Sequence, residues 1–173
     1  MNRFRQLTVW LSRIGHCRGF GIQSPSDYWL VRYVINEHWP YYQYASLGSD
    51  DDWLRRKVGR LCLRLTNWRQ PAVVTADDYR DYLHAGCHRA AFGEDGQLTV
   101  LTLTGDGDDR RLTAVLDRAD EQLVLLVVGL PDHLEAWRQL VGDSRAVITF
   151  DLYYCGLVLF DRKRTKTHYI INF

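Results

Sequence analysis

From Pro71 onward the sequence alternates short apolar runs with short amphipathic stretches, and that alternation most restricts the fold. Residues 72–76, 97–104 and 122–129 carry the apolar and β-branched side chains of strands. Residues 77–85, 109–120 and 131–141 have helical spacing. Three more strands are predicted over 145–153, 156–161 and 168–173, joined by short turns. Strands separated by helices build a largely parallel sheet with helices on its faces. Strands joined by tight turns pair antiparallel, so the carboxyl-terminal edge of this sheet is expected to be antiparallel in part.

The first seventy residues read differently. Phe4, Leu7, Val9, Trp10, Leu11 and Ile14 recur at three- and four-residue spacing and predict a helix ending near Gly15. After a glycine-rich connector, Ser24 is placed to cap a second helix with Pro25 at its first position. Tyr28, Leu30, Val31, Val34 and Ile35 carry that helix to about His38. Asp50, Asp51 and Asp52 then sit at the positive end of a third helix running through Trp53, Val58, Leu61, Leu65 and Trp68. The expected organisation is a helical extension, 1–70, packed on an α/β body, 71–173, as one structural unit.

A chain of 173 residues, 46% of them hydrophobic, can bury one sizeable core and is short for two. Its net charge of +1 argues against a dedicated nucleic-acid binder. The head is locally basic all the same, since Arg3, Arg5, Arg13 and Arg18 precede the first acid, Asp27. Cys17, Cys62, Cys87 and Cys155 are scattered without a CxxC pair, as expected of free thiols in a reducing cytoplasm. Arginines interrupt the first sixteen residues where a signal peptide needs an apolar core, and the longest apolar run, 123–130, is too short to span a bilayer. Neither a leader nor a membrane span is expected.

Ligands of open α/β sheets bind at the carboxyl ends of the strands, where glycines let the backbone approach closely. The first strand-to-helix turn here reads Thr75-Ala76-Asp77-Asp78-Tyr79, with no glycine and two acids. The next end, Thr104-Gly105-Asp106-Gly107, has two glycines and an acid suited to ribose hydroxyls, and a third end runs from Gly129 to Asp132. Thr75, Asp77, Gly105 and Asp106 are therefore the candidate cofactor-binding residues, with polar turns as the plainer alternative. Asp77 and Asp78 also suit a metal or hydroxyl ligand, although a helix cap is the simpler role for one of them. His84 and His88 lie four apart, a zinc-compatible spacing that Gly86 and the lack of nearby further ligands weaken. His16 and Cys17 have no partner in the local sequence, and no metal site or catalytic residue is assigned.

Trp29, Trp39, Tyr41, Tyr42, Tyr44, Trp53 and Trp68 crowd the first seventy residues. Interleaved with arginines, they suit a stacking surface for bases or a flat substrate, but a core that docks the helices on the sheet is the expected role. The turn Arg162-Lys163-Arg164-Thr165-Lys166 is expected to be a solvated basic loop.

Two segments, GHCRGFGIQSPSDYWLVRYVINE and VITFDLYYCGLVLFDRKRTKTHYIINF, resemble the ends of a group of bacterial class I S-adenosylmethionine-dependent methyltransferase-like proteins. The first matches an R-H-G-[YF]-G-x-x-S-P-like signature followed by a tyrosine-rich turn, here Pro40-Tyr41-Tyr42-Gln43-Tyr44. The second matches that family's last strands, with Ala136-Trp137 where the family carries an A-W pair. The resemblance implies a Rossmann-like sheet and a site for S-adenosylmethionine. An active relative would carry a glycine loop where this chain has Thr75-Ala76-Asp77-Asp78, and more strand–helix units between Leu83 and Gln122.

The expectation is a contracted, degenerate methyltransferase-like protein without catalysis, acting as a binding or interaction module with an unidentified protein partner. Two alternatives stay open. One is an active S-adenosylmethionine-dependent methyltransferase with an altered cofactor site. The other, weaker, is nucleic-acid binding through the arginine and aromatic head. An exposed edge strand in a contracted sheet leaves a homodimer open as well.

Overall fold

The structure, a computed structural model, describes residues 3–173. The side chains of Arg3 and Arg5, two of the four arginines of the basic head, lie outside the described residues. The chain divides into two compact units, Met1–Gln70 with Tyr79–Arg89 and Ile170–Phe173, and Pro71–Asp78 with Ala90–Tyr169.

The first unit is helical. Helix α1 spans Arg3–Ser12 and leaves Phe4, Leu7, Trp10 and Leu11 exposed. Two short 3-10 turns cover Ile14–Gly19, with Arg18 in the left-handed region at φ 53°. The predicted cap at Ser24 is present, its hydroxyl accepting from the Asp27 N–H as α2 (Pro25–Leu30) begins. This helix widens into one π-helical turn at Val31–Ile35, closed by the Asn36 N–H on Val31 O at 2.8 Å. Asp52 caps α3 (Trp53–Arg69) by accepting from the Arg55 N–H at 2.7 Å. Val58, Leu61, Cys62 and Leu65 form its buried face.

Helix α4 (Arg80–Gly86) packs against α3. The contact is close because Gly59 lets the Tyr82 ring lie on α3, where a Cβ would stand 2.5 Å from the ring. The Tyr82 hydroxyl then donates to Asp51 at 2.7 Å. Neither Asp77 nor Asp78 caps α4, contrary to expectation. The cap position before it is held by Tyr79, at φ 62° and with no side-chain cap bond.

The second unit carries a sheet of order β2-β1-β3-β4-β6-β5-β7, with β1 at Val73–Ala76, β2 at Ala91–Phe92 and β3 at Leu98–Thr102. Strand β4 is Val124–Val128, β5 is Ile148–Asp151, β6 is Cys155–Leu159 and β7 is Thr167–Ile170. The ladders β1–β2, β1–β3 and β3–β4 are parallel, whereas β6 runs antiparallel to both β4 and β5. The carboxyl-terminal part of the sheet is thus antiparallel in part, as expected, with β6 running between β4 and β5, two strands of the same direction. Helices α5 (Asp108–Arg118) and α6 (Leu134–Gly142) contribute Leu112, Val115, Leu116, Trp137 and Leu140 to the core that also holds Leu125, Val127 and Phe160. Trp137 can lie close against β6 because Gly156 has no side chain, and a Cβ there would stand 2.3 Å from the indole.

The sheet has seven strands, one more than the sequence predicts, and the extra one is the two-residue β2. No helix joins β2 to β3. Both flank β1 in parallel, and both meet it at Val74, so the link has to cross one strand rather than run back along its length. Two strand spacings are about 10 Å, within reach of a five-residue loop. Gly96 makes the crossing possible, since a Cβ there would stand 2.4 Å from the Thr75 nitrogen.

Candidate functional site

The strand order places β2 and β3 on opposite sides of β1, which makes the carboxyl ends of β1 and β3 the topological switch point where ligands of open α/β sheets bind. All four candidate cofactor-binding residues lie at or beside it, and three are engaged by their own chain. The Thr75 hydroxyl donates to Gly93 O at 2.8 Å and accepts from the Gly96 N–H at 2.8 Å, pinning the crossover loop. Asp77 accepts from the Thr102 N–H at 3.0 Å and forms an ion pair with Arg111.

Gly105 adopts φ 101°, a conformation that favours glycine, and its N–H donates to Asp108 at 2.8 Å. The Thr104 N–H joins it on the same oxygen at 2.9 Å. The other Asp108 oxygen meets Arg111 at 3.1 Å, and Arg111 also donates to Thr102 O. Asp108 is only 3% exposed. Burial alone pushes its carboxyl up, but the Gly105 and Thr104 amides and the Arg111 guanidinium outweigh that and hold it below its ordinary value. Asp106 is exposed to solvent. Thr102 Oγ1 is the one buried side-chain atom at this end, among the described residues, without a partner.

Asp108 and Arg111 were not among the sequence candidates. Their signal was an acid and an arginine three apart at the start of a helix that follows a glycine turn. That pattern also describes any solvated first turn, so it did not single them out.

His84 and His88 stack edge to face at 5.0 Å. No group of three His, Cys, Asp or Glu side chains arranged for a metal occurs among the described residues. The basic turn is partly paired, with Lys163 on Glu121 at 3.0 Å and Lys166 donating to Asp143 O. No helix among the described residues is long and apolar enough to cross a membrane.

The head aromatics are not the core they were expected to be. Tyr42 is 98% exposed and Trp39 73%, and Trp29 and Trp53 are also open to solvent. The apolar face of α3 is filled by aliphatic side chains instead, which leaves the rings of the turns outside. Several of them line a cleft of about 900 Å³ within the first unit. Its walls carry Trp10, Trp39, Tyr41, Tyr44, Trp53 and Phe173, and its cations are Arg18, Arg56, Lys57, Arg60 and Arg64. Glu37 is the one acidic side chain in the lining among the described residues.

Arg64 is structural. It donates to Val34 O, Ile35 O and the Tyr44 hydroxyl, closing the last carbonyls of the π turn. Arg56 is likewise held, by Gly48 O and Asp51 O. Arg60 lies over the Tyr44 ring at 4.6 Å, and its Nε is buried without a hydrogen-bond partner. Asn36 Nδ2 is a second such donor, on a residue 8% exposed. Burial, then the charges of Arg18, Arg64, Lys57 and Arg32, hold the His38 pKa below its ordinary value. Tyr41 is pushed up to about 12 by burial and by its hydrogen bond to Glu37.

The fold is thus an α/β sheet protein with a mostly parallel, seven-stranded sheet. Comparison with family models, with curated proteins and with solved structures finds no match for this chain.

Proposed function

We propose that the chain is a non-catalytic binding module built on a methyltransferase-like, Rossmann-like sheet whose cofactor crevice has been closed. The observation that carries this reading is the pair of amides at Thr104 and Gly105. In a working crevice, such N–H groups at the switch point would meet the ligand. Here a buried carboxylate of the same chain, Asp108, accepts from both, and Arg111 ties it to Asp77. The helix-free crossover loop held by Thr75 supports the reading of a contracted sheet. A ligand carrying negative charge would have to displace Asp108 and would meet Asp77 beside it.

The resemblance of the head and tail to methyltransferase-like proteins supplies the ancestry in this reading, and the occupied amides supply the loss of function. Calorimetric titration with S-adenosylmethionine tests it. No saturable heat at millimolar ligand is expected, while a dissociation constant in the micromolar range would restore the enzyme reading.

A further inference from the structure

We infer that the cleft of the first unit is a binding site for a planar organic anion of nucleotide size, a ring system carrying a phosphate. Its volume of about 900 Å³ suits such a ligand. Five cationic side chains against one acidic side chain, among the described residues, give it the charge of an anion site. His38 also lines the cleft, its pKa held below the ordinary value first by burial and then by the charges of Arg18, Arg64, Lys57 and Arg32.

Two buried donors point to the place of the anion. Asn36 Nδ2 and Arg60 Nε have no acceptor among the described residues, and buried donors are rarely left so unless a ligand or water completes them. Asn36 also borders an adjoining cleft of about 260 Å³, which shares Arg18, Glu37, His38 and Trp39 with the larger one. The ring has its own surface. Trp39 is 73% exposed and Trp10 47%, and both line the larger cleft. Indole faces of this kind stack on any flat π system without regard to its edge pattern.

The site rests on the reading of the chain as a binding module, and it lies in the helical unit, apart from the switch-point residues. The test follows tryptophan fluorescence of the full chain during titration with each ribonucleoside 5′-monophosphate. Parallel titrations use adenosine, inorganic phosphate and a short single-stranded oligonucleotide. At least one monophosphate is expected to bind saturably, about tenfold or more tighter than adenosine or phosphate alone. Arg60→Gln and Asn36→Ala are each expected to weaken that binding by about tenfold with the melting transition preserved.

Absence of saturable binding by all four monophosphates overturns the inference. So does equal affinity for adenosine, binding of the oligonucleotide alone, or binding that neither substitution weakens in folded protein. If either variant fails to fold, Arg60→Lys, which keeps the charge but not the planar fork, is read in its place and must also weaken binding. Binding of S-adenosylmethionine that Arg60→Gln and Asn36→Ala leave unchanged would instead count against the closed crevice and leave the cleft standing, so the two readings fail separately.

Discussion

Asp143 and Asp108 are both held ionised by their neighbours, and each makes the fold sensitive to acid in a predictable way. Asp143 receives three bonds from Arg145, two from the guanidinium and one from the backbone N–H, and its pKa falls to about 2. Its stabilisation is therefore complete above its ordinary pKa of 3.8 and is lost as pH falls through that value towards 2. Asp143→Asn should cost on the order of 2 kcal/mol near neutral pH, and the difference from the parent protein should vanish by about pH 2. Denaturant unfolding across that range measures it, and a difference independent of pH would contradict the assignment. Tyr41 and Tyr82 are raised to about 12 by burial and by their bonds to Glu37 and Asp51. Tyrosinate absorbance should accordingly show Tyr41 and Tyr82 titrating late, with the late amplitude smaller by one group in Tyr82→Phe. Because both pKa values are raised, the stability these groups contribute is present below pH 10 and is lost as pH rises towards 12.

Among the elements, the β2–β3 crossover has the sharpest mutational consequence. Gly96→Ala sets a Cβ 2.4 Å from the Thr75 nitrogen and 2.8 Å from the Val74 carbonyl carbon, both backbone atoms that cannot turn aside. It should destabilise the protein by about 1–3 kcal/mol in denaturant unfolding. Thr75→Val, close in shape, removes both bonds to the loop and should cost about 1–2 kcal/mol. An unchanged unfolding midpoint in both would mean that the loop does not lie on β1. Much at this scale was legible in the sequence. Ser24-Pro25 and Asp52 announced helix starts because capping is local chemistry. The alternation after Pro71 announced the body because a two-layer core imposes it. Strand β2 was not legible, since two residues carry no period. Nor was its crossover, because parallel strands ordinarily require a helix between them. The exposed head aromatics were misread because composition does not say which face of a helix a ring will take.

For the whole molecule, the two units carry different parts of the account. The second unit holds the switch point, and the strand ends beside it are named by the rule for open sheets, while the switch itself needs the strand order. What was not legible is that the residues named there are used internally. Thr75, Asp77 and Gly105 have the chemistry of a ligand site and the partners of a closed loop, and only tertiary structure separates the two. The first unit holds the open cleft, whose cations come largely from one face of α3 and whose unpaired donors come from separate helical segments. The central claim is that the switch-point amides are already bound from within. Amide resonances of Thr104 and Gly105, followed while S-adenosylmethionine is added to millimolar excess, test it at the atoms concerned. The account predicts that both stay in place throughout. Saturable movement of the two together would show that Asp108 gives way to the cofactor and that the crevice is open.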